Sequence, residues 1–199
     1  YPRIVGETGG KDFIFAHASA DVDALTTALV RGAFEYQGQK CSAASRAYIP
    51  DSLWPAVKER LLAEIAQIKM GDVCDFRTYV GAVIDRNAFA TISGYIDFAK
   101  SSPDMEILCG GGADNSTGYF IEPTVVLSKE PQSKLMVEEI FGPVLTVYVY
   151  PEKEYEETLE ICDQTSPYAL TGAIFALDRR AIVKAIHALR HAAGNFYVN

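Results

Sequence analysis

Phe13-Ile-Phe-Ala16, then Asp21-Val-Asp-Ala-Leu-Thr-Thr-Ala-Leu-Val-Arg-Gly-Ala-Phe34, then Arg46-Ala-Tyr-Ile49 are the stretches that decide how this chain folds. The first is a short apolar run bounded by Lys11-Asp12 and Ser19, the pattern of a buried strand. The second carries apolar residues at 22, 25, 29, 30 and 33, a helical period, with Ser19 or Asp21 placed to cap it. The third is a strand that Pro50 ends. Strand, helix and strand in succession form the unit from which parallel sheets are built.

The same alternation continues outward. Residues 51–69 read as the clearest helix, with Asp51 or Ser52 as cap, Pro55 tolerated in the first turn, and Trp54, Val57, Leu61, Ile65 and Ile68 on one stripe. A loop over 70–79 precedes a second amphipathic helix over 86–100, with Phe89, Ile92, Ile96 and Ala99 facing inward. Residues 106–109 form a strand that the turn-forming run Gly110 to Gly118 closes. Strands follow over 119–127 and 144–150, a helix over 155–163, a strand over 170–176, a helix over 179–191 and a strand over 195–198. The expected fold is an α/β layered domain, a mainly parallel twisted sheet flanked by helices, with no linker to divide it.

The chain has 199 residues, 49% of them hydrophobic and 22% charged, enough for one full core. A net charge of −8 argues against a nucleic-acid or anionic-membrane surface. No apolar run reaches the roughly 20 residues of a membrane span. Cys41, Cys74, Cys109 and Cys162 show no CxxC pair, and His187 and His191, four apart on an expected helix, have no thiol or carboxylate cluster beside them. No metal site is expected. Free thiols point to a reducing compartment, bacterial cytosol or mitochondrial matrix, rather than to secretion. Tyr1-Pro-Arg-Ile-Val-Gly and the apolar run Asn195-Phe-Tyr-Val-Asn199 both look cut from a longer chain.

Chemistry concentrates in two small-residue turns. Cys41 lies in Gly38-Gln-Lys-Cys-Ser-Ala-Ala-Ser-Arg46, thirty-four residues after the Glu7 of Gly6-Glu-Thr-Gly-Gly-Lys11. A thiol that becomes a thiolate, with a carboxylate able to activate water, points to covalent catalysis followed by hydrolysis. An isolated cysteine is more often a buried, inert one, and Cys74, Cys109 and Cys162 are read that way. Gly6 to Asp12 is not a phosphate loop: three residues, not four, separate Gly6 from Gly10-Lys11, and Asp12 stands where Ser or Thr is needed. No G-x-G-x-x-G occurs, so the chain carries no recognisable dinucleotide-binding half.

Taken together, these motifs resemble the aldehyde dehydrogenase family from end to end. Gly6-Glu-Thr-Gly-Gly-Lys11 is similar to its glutamate motif, with Thr8 where Leu is frequent, and Gly38-Gln-Lys-Cys41 to its cysteine motif. Glu138-Glu-Ile-Phe-Gly-Pro-Val144 is similar to a further signature, as are Tyr168-Ala-Leu-Thr-Gly-Ala173 and the stretch from Gly194 to Asn199. Within the family, residues 34–46, Val147-Tyr-Val-Tyr150 and residues 192–199 are close to the branch that oxidises L-glutamate γ-semialdehyde to L-glutamate in proline catabolism.

The resemblance implies NAD as cofactor and a small-molecule aldehyde as substrate. It implies Cys41 as nucleophile, Glu7 as the base for the hydrolytic water, Glu139 on the nicotinamide-ribose hydroxyls, Phe141 packing near the ring and Ser42 contacting substrate. It further implies that residues 1–199 are the catalytic domain of a larger homo-oligomeric enzyme whose Rossmann domain and C-terminal anchoring segment lie outside this chain, and that the chain alone is inactive. Other readings are a different aldehyde as substrate, a CoA-acylating relative, a cysteine hydrolase that needs no nicotinamide, or a non-catalytic module.

Overall fold

The computed structural model describes all 199 residues. At its centre is a seven-stranded sheet built from β1 (Phe13–Ala16), β2 (Arg46–Pro50), β3 (Met105–Cys109), β6 (Thr124–Ser128), β7 (Val144–Tyr150), β8 (Thr171–Phe175) and β9 (Asn195–Val198). The order is β3-β6-β7-β2-β1-β8-β9, and every pairing is parallel except β3 with β6 at one edge. β4 (Ala113–Asp114) and β5 (Phe120–Ile121) form a separate antiparallel pair. The expected mainly parallel α/β architecture is what the chain adopts.

Side chains leave the strands alternately to the two faces. Ile14, Ala47, Ile49, Leu145 and Val147 point to the face covered by α1 (Val22–Phe34) and α2 (Trp54–Ile65), joining Leu25, Leu29, Val57 and Leu61 in one core. Phe13, Phe15, Tyr48 and Tyr150 point the other way, under α5 (Tyr155–Thr165) and α6 (Arg179–Ala188). There Phe15 stacks on Tyr48 at 5.4 Å and meets Tyr155 edge-on at 5.7 Å, arrangements that aromatic quadrupoles favour. A third core forms where Ile92, Ile96 and Ala99 of α3 (Arg86–Ser101) pack on Val126 and Val144. Asp21, Asp85 and Asp178 each accept an amide of the first turn of their helix, at 2.8, 2.8 and 2.7 Å, as capping chemistry dictates.

Three boundaries differ from the sequence reading. The helix expected over 51–69 spans only Trp54–Ile65. Asp51 does not cap it; its carboxylate accepts the Glu152 amide at 3.0 Å. Beyond Ile65 the Gln67 and Ile68 amides turn to the Glu64 and Ile65 carbonyls three residues back, and the Lys69 carbonyl then takes the amides of Tyr79 and Val80. The strand expected over 119–127 is two strands, because Pro123 brings no amide to a ladder. The last helix ends at Ala188, so His187 and His191 share no helix face. A 3-10 turn over Glu35–Gly38 and a short helix α4 (Lys134–Val137) had no sequence signal.

Asp12 clasps the centre of this sheet. One carboxylate oxygen accepts the Leu170 amide at 2.9 Å, and the other accepts the Thr171 amide at 3.0 Å and the Thr171 hydroxyl at 2.6 Å. The Asp12 carbonyl takes the Ser45 and Arg46 amides at 3.2 Å. Asp12→Ala strands the β8 donors without moving the Asp12 carbonyl. We expect it to lower stability by about 2 to 3 kcal/mol in urea titration of the full-length protein, more than a single neutral hydrogen bond contributes.

Candidate active site

Parallel pairing brings together the segments that enter neighbouring strands. β1 is in register with β2 (Phe13 opposite Arg46), and β2 with β7 (Arg46 opposite Thr146). Glu7 stands a few residues before β1, Cys41 before β2, and Glu139 and Phe141 before β7, so the three entries meet at the N-terminal ends of three adjacent central strands. Glu7, Thr8, Gly9, Cys41, Glu139 and Phe141 line one cavity of about 390 Å³. Four of the five expected site residues are therefore gathered at one place. Ser42 is not among them. It lines a different groove of about 290 Å³ with Asp12, Thr171 and Tyr197, and its carbonyl accepts the Thr171 hydroxyl at 3.3 Å.

The turn ahead of Cys41 is left-handed over three residues, with φ of 54° at Tyr36, 57° at Gln37 and 65° at Gly38. Non-glycine residues enter this region at a penalty and persist there only when surroundings hold them. Gln37 is one such hold. With its carboxamide oriented to satisfy both ends, it accepts the Gly81 amide at 3.0 Å and donates to the Tyr36 carbonyl at 3.0 Å. Gln39 accepts the Ile84 amide at 2.9 Å. Gly38 is needed for space as well as for φ, since a Cβ there would sit 2.3 Å from the Gly142 carbonyl oxygen. Phe141 is also left-handed, at φ 55°, and the residue is 44% exposed.

Cys41 is exposed, and its amide makes no hydrogen bond within the chain. Of the other thiols, Cys162 is buried and Cys109 half-buried, whereas Cys74, read from sequence as a buried cysteine, is exposed. Burial pushes Cys162 up to about 12 and raises Cys109, while a hydrogen bond from Cys74 to Asp72 raises Cys74. The Glu7 carboxylate is exposed, and one of its oxygens accepts the Gly9 amide at 3.1 Å, which leaves the second for another donor. Gly9 lies close against its neighbours: a Cβ there would press on the Glu139 carboxylate at 3.2 Å and touch the Tyr168 hydroxyl at 3.5 Å. Glu139 is held above the usual carboxylate range by burial, with the negative charges of Glu7 and Asp12 adding and the Gly10 amide and Lys11 opposing.

Lys11 is the residue whose part sequence reading missed. The motif names it only as the residue that closes Gly6-Glu-Thr-Gly-Gly-Lys11, yet it is completely buried. Its Nζ donates to the Ser45 hydroxyl at 2.6 Å. Burial, reinforced by the neighbouring Arg46 guanidinium, pushes it down to about 7 against the pull of Glu139 and Glu138. Arg46 is buried too. It donates to the carbonyls of Lys11 and Cys162 at 3.1 Å and to the Tyr48 hydroxyl at 2.9 Å, and lies over the Phe13 ring at 5.3 Å. Nothing in the spacing of Lys11 or Arg46 marks either as buried; tertiary closure alone does so.

A nicotinamide ribose would find fitting chemistry here: the Glu139 carboxylate is an acceptor on the cavity wall, suited to a diol, and Phe141 is partly exposed beside it. No three His, Cys, Asp or Glu side chains come together as a metal site, and no helix is long and apolar enough to cross a membrane.

The aldehyde dehydrogenase family model matches residues 1–199. A mitochondrial delta-1-pyrroline-5-carboxylate dehydrogenase of Dictyostelium discoideum is 61% identical over 199 residues, all of this chain and 36% of the relative. The human mitochondrial enzyme of that name is 54% identical over 200 residues, again covering 36% of its length. In three dimensions the chain is similar to a Mycobacterium tuberculosis delta-pyrroline-5-carboxylate dehydrogenase bound with NAD, with a TM-score of 0.92, 52% identity, and coverage of 100% of this chain and 36% of that one. The chain thus spans little more than a third of the length of the relatives it matches.

Two substitutions test how the site is held. Gly38→Ala meets both a positive φ and a backbone oxygen, and is expected to destabilise by about 3 kcal/mol, read by urea unfolding. Lys11→Met tests the buried amine. A lysine lowered on folding binds more protons when unfolded, so wild-type stability rises with pH from about 7 upward. Between pH 7 and 8, below the ordinary range in which unfolded thiols and tyrosines titrate, the wild-type melting temperature should climb and that of Lys11→Met should stay flatter.

Proposed function

The chain belongs to the aldehyde dehydrogenase family, and on that premise we propose that it is the cysteine-bearing catalytic domain of an NAD-dependent enzyme that oxidises L-glutamate γ-semialdehyde to L-glutamate in proline catabolism. The observation that carries this reading is the meeting of Cys41, Glu7, Glu139 and Phe141 on one cavity wall. The 54–61% identity to delta-1-pyrroline-5-carboxylate dehydrogenases supports the choice of substrate.

In this proposal the Cys41 thiolate attacks the aldehyde carbon. A C–S bond forms and the carbonyl electron pair moves to oxygen, giving a thiohemiacetal anion. The unengaged Cys41 amide is placed to donate to that oxygen. NAD, when bound, supplies the hydride acceptor, and Glu139 and Phe141 would hold its nicotinamide-ribose end. Once the carbon is at the thioester level, the free oxygen of Glu7 takes a proton from water, whose oxygen attacks the thioester carbon. The C–S bond breaks, the Cys41 thiolate is restored and the carboxylic acid leaves. Dividing the oxidation into an acylation and a hydrolysis lowers each barrier. Ser42 would meet the substrate from the groove it shares with Thr171 and Tyr197, so that the cysteine loop separates cofactor and substrate sides. The full-length enzyme would be a homo-oligomer of the mitochondrial matrix or bacterial cytosol.

The test is NADH formation by the full-length protein with glutamate semialdehyde and with a simple aliphatic aldehyde. Preference for the semialdehyde, abolished in Cys41→Ala, is the expected result; activity that survives without Cys41 would refute the mechanism. Glu7→Gln should retain a pre-steady-state burst of NADH while steady turnover falls at least about a hundredfold, because only the hydrolytic base is lost. Residues 1–199 alone should show negligible turnover.

A further inference from the structure

Two features of the Cys41 surroundings are unused in the mechanism above: a fully buried lysine and the hydroxyl it contacts. Lys11 is pinned on both sides, its amide donating to the Tyr168 carbonyl at 3.2 Å and its carbonyl accepting from Arg46 Nε at 3.1 Å. Its Nζ reaches Ser45 Oγ at 2.6 Å. Ser45 in turn lines, with Cys41 and Glu139, a small cavity of about 10 Å³, room for about one water molecule. Ser45 also stands in the loop that carries Cys41, four residues on.

An ammonium has three donors and no acceptor. Facing Lys11 in that form, Ser45 must accept, and its own hydrogen is turned away from Nζ. We propose that Lys11 is a positioning residue that holds the Ser45 hydroxyl as a hydrogen-bond donor into the Cys41 cavity, where that donor supports the thiolate directly or through one water. The proposal rests on the reading of Cys41 as the nucleophile. No proton need leave Lys11 for it to act: its charge sets which way the Ser45 hydroxyl points.

The device is reversible with pH. A neutral amine can accept, so once Lys11 loses its proton the Ser45 hydrogen can swing to Nζ and leave the cavity. The groups facing Lys11 are Arg46 from β2, which favours proton loss, and Glu138 and Glu139 from the segment before β7, which oppose it. Burial dominates and brings the change to about 7.

The experiment follows iodoacetamide alkylation of Cys41 in the full-length protein, by mass spectrometry of its peptide, from pH 6.5 to 8.5. Ser45→Ala should slow alkylation about threefold at pH 6.5, since a tenfold loss of thiolate is partly offset by greater intrinsic nucleophilicity. That deficit should shrink toward pH 8.5. Lys11→Met should show the same loss, without a further loss when combined with Ser45→Ala, and Lys11→Arg should keep the donor across the range. A Ser45→Ala rate equal to wild type at pH 6.5, or a deficit of constant size at every pH, would overturn the proposal even if the Lys11 variants fail to fold. Alkylation needs no turnover, so dehydrogenase activity that persists in Cys41→Ala would instead refute the functional reading.

Discussion

Parallel, in-register pairing of β7, β2, β1 and β8 is the constraint on which everything else in this molecule depends. Parallel strands start at the same edge of the sheet, so the segments that lead into them lie side by side. Glu7, Cys41 and the Glu139–Phe141 pair are far apart along the chain, yet each is a short distance ahead of one of three adjacent strands. Strand order brings them to the same place, and the left-handed backbone at residues 36–38 and 141 completes the loops there. A one-place exchange of β1 or β2 with another strand would separate base from nucleophile while leaving every motif intact.

That edge is also where the chain accepts unfavourable arrangements. Lys11 and Arg46 are buried cations with no carboxylate in hydrogen-bonded contact, and Tyr36, Gln37 and Phe141 hold left-handed backbone without being glycine. Arg46 is compensated by carbonyls, a tyrosine hydroxyl and two aromatic faces. Lys11 is compensated less completely and is correspondingly depressed. Such features survive where the surrounding structure overdetermines them, and they cluster here around one exposed thiol. The aromatic face under α5 and α6 and the aliphatic face under α1 and α2 supply the rigidity against which these local penalties are held.

Much of this was legible in order and type of element. The alternation of apolar runs identified the strands of the main sheet, and the capping aspartates 21 and 178 sit at sequence-readable helix starts. What failed did so for long-range reasons. The helix after Asp51 stops at Ile65, where the Gln67 and Ile68 amides turn to the Glu64 and Ile65 carbonyls and the chain goes on to pair Lys69 with Tyr79 and Val80, contacts that periodicity cannot anticipate. His187 and His191 lose their shared face because the helix ends at Ala188.

The sequence by itself determined the layered parallel fold and the candidates Cys41, Glu7, Glu139 and Phe141, because periodicity and motif are local properties of a chain. Only the tertiary structure decided that these four share a cavity, that Cys162 is sealed away while Cys41 is open, and that Lys11 is buried against Ser45. Burial and proximity depend on which strands become neighbours, and the free energy of a charge depends on what finally surrounds it.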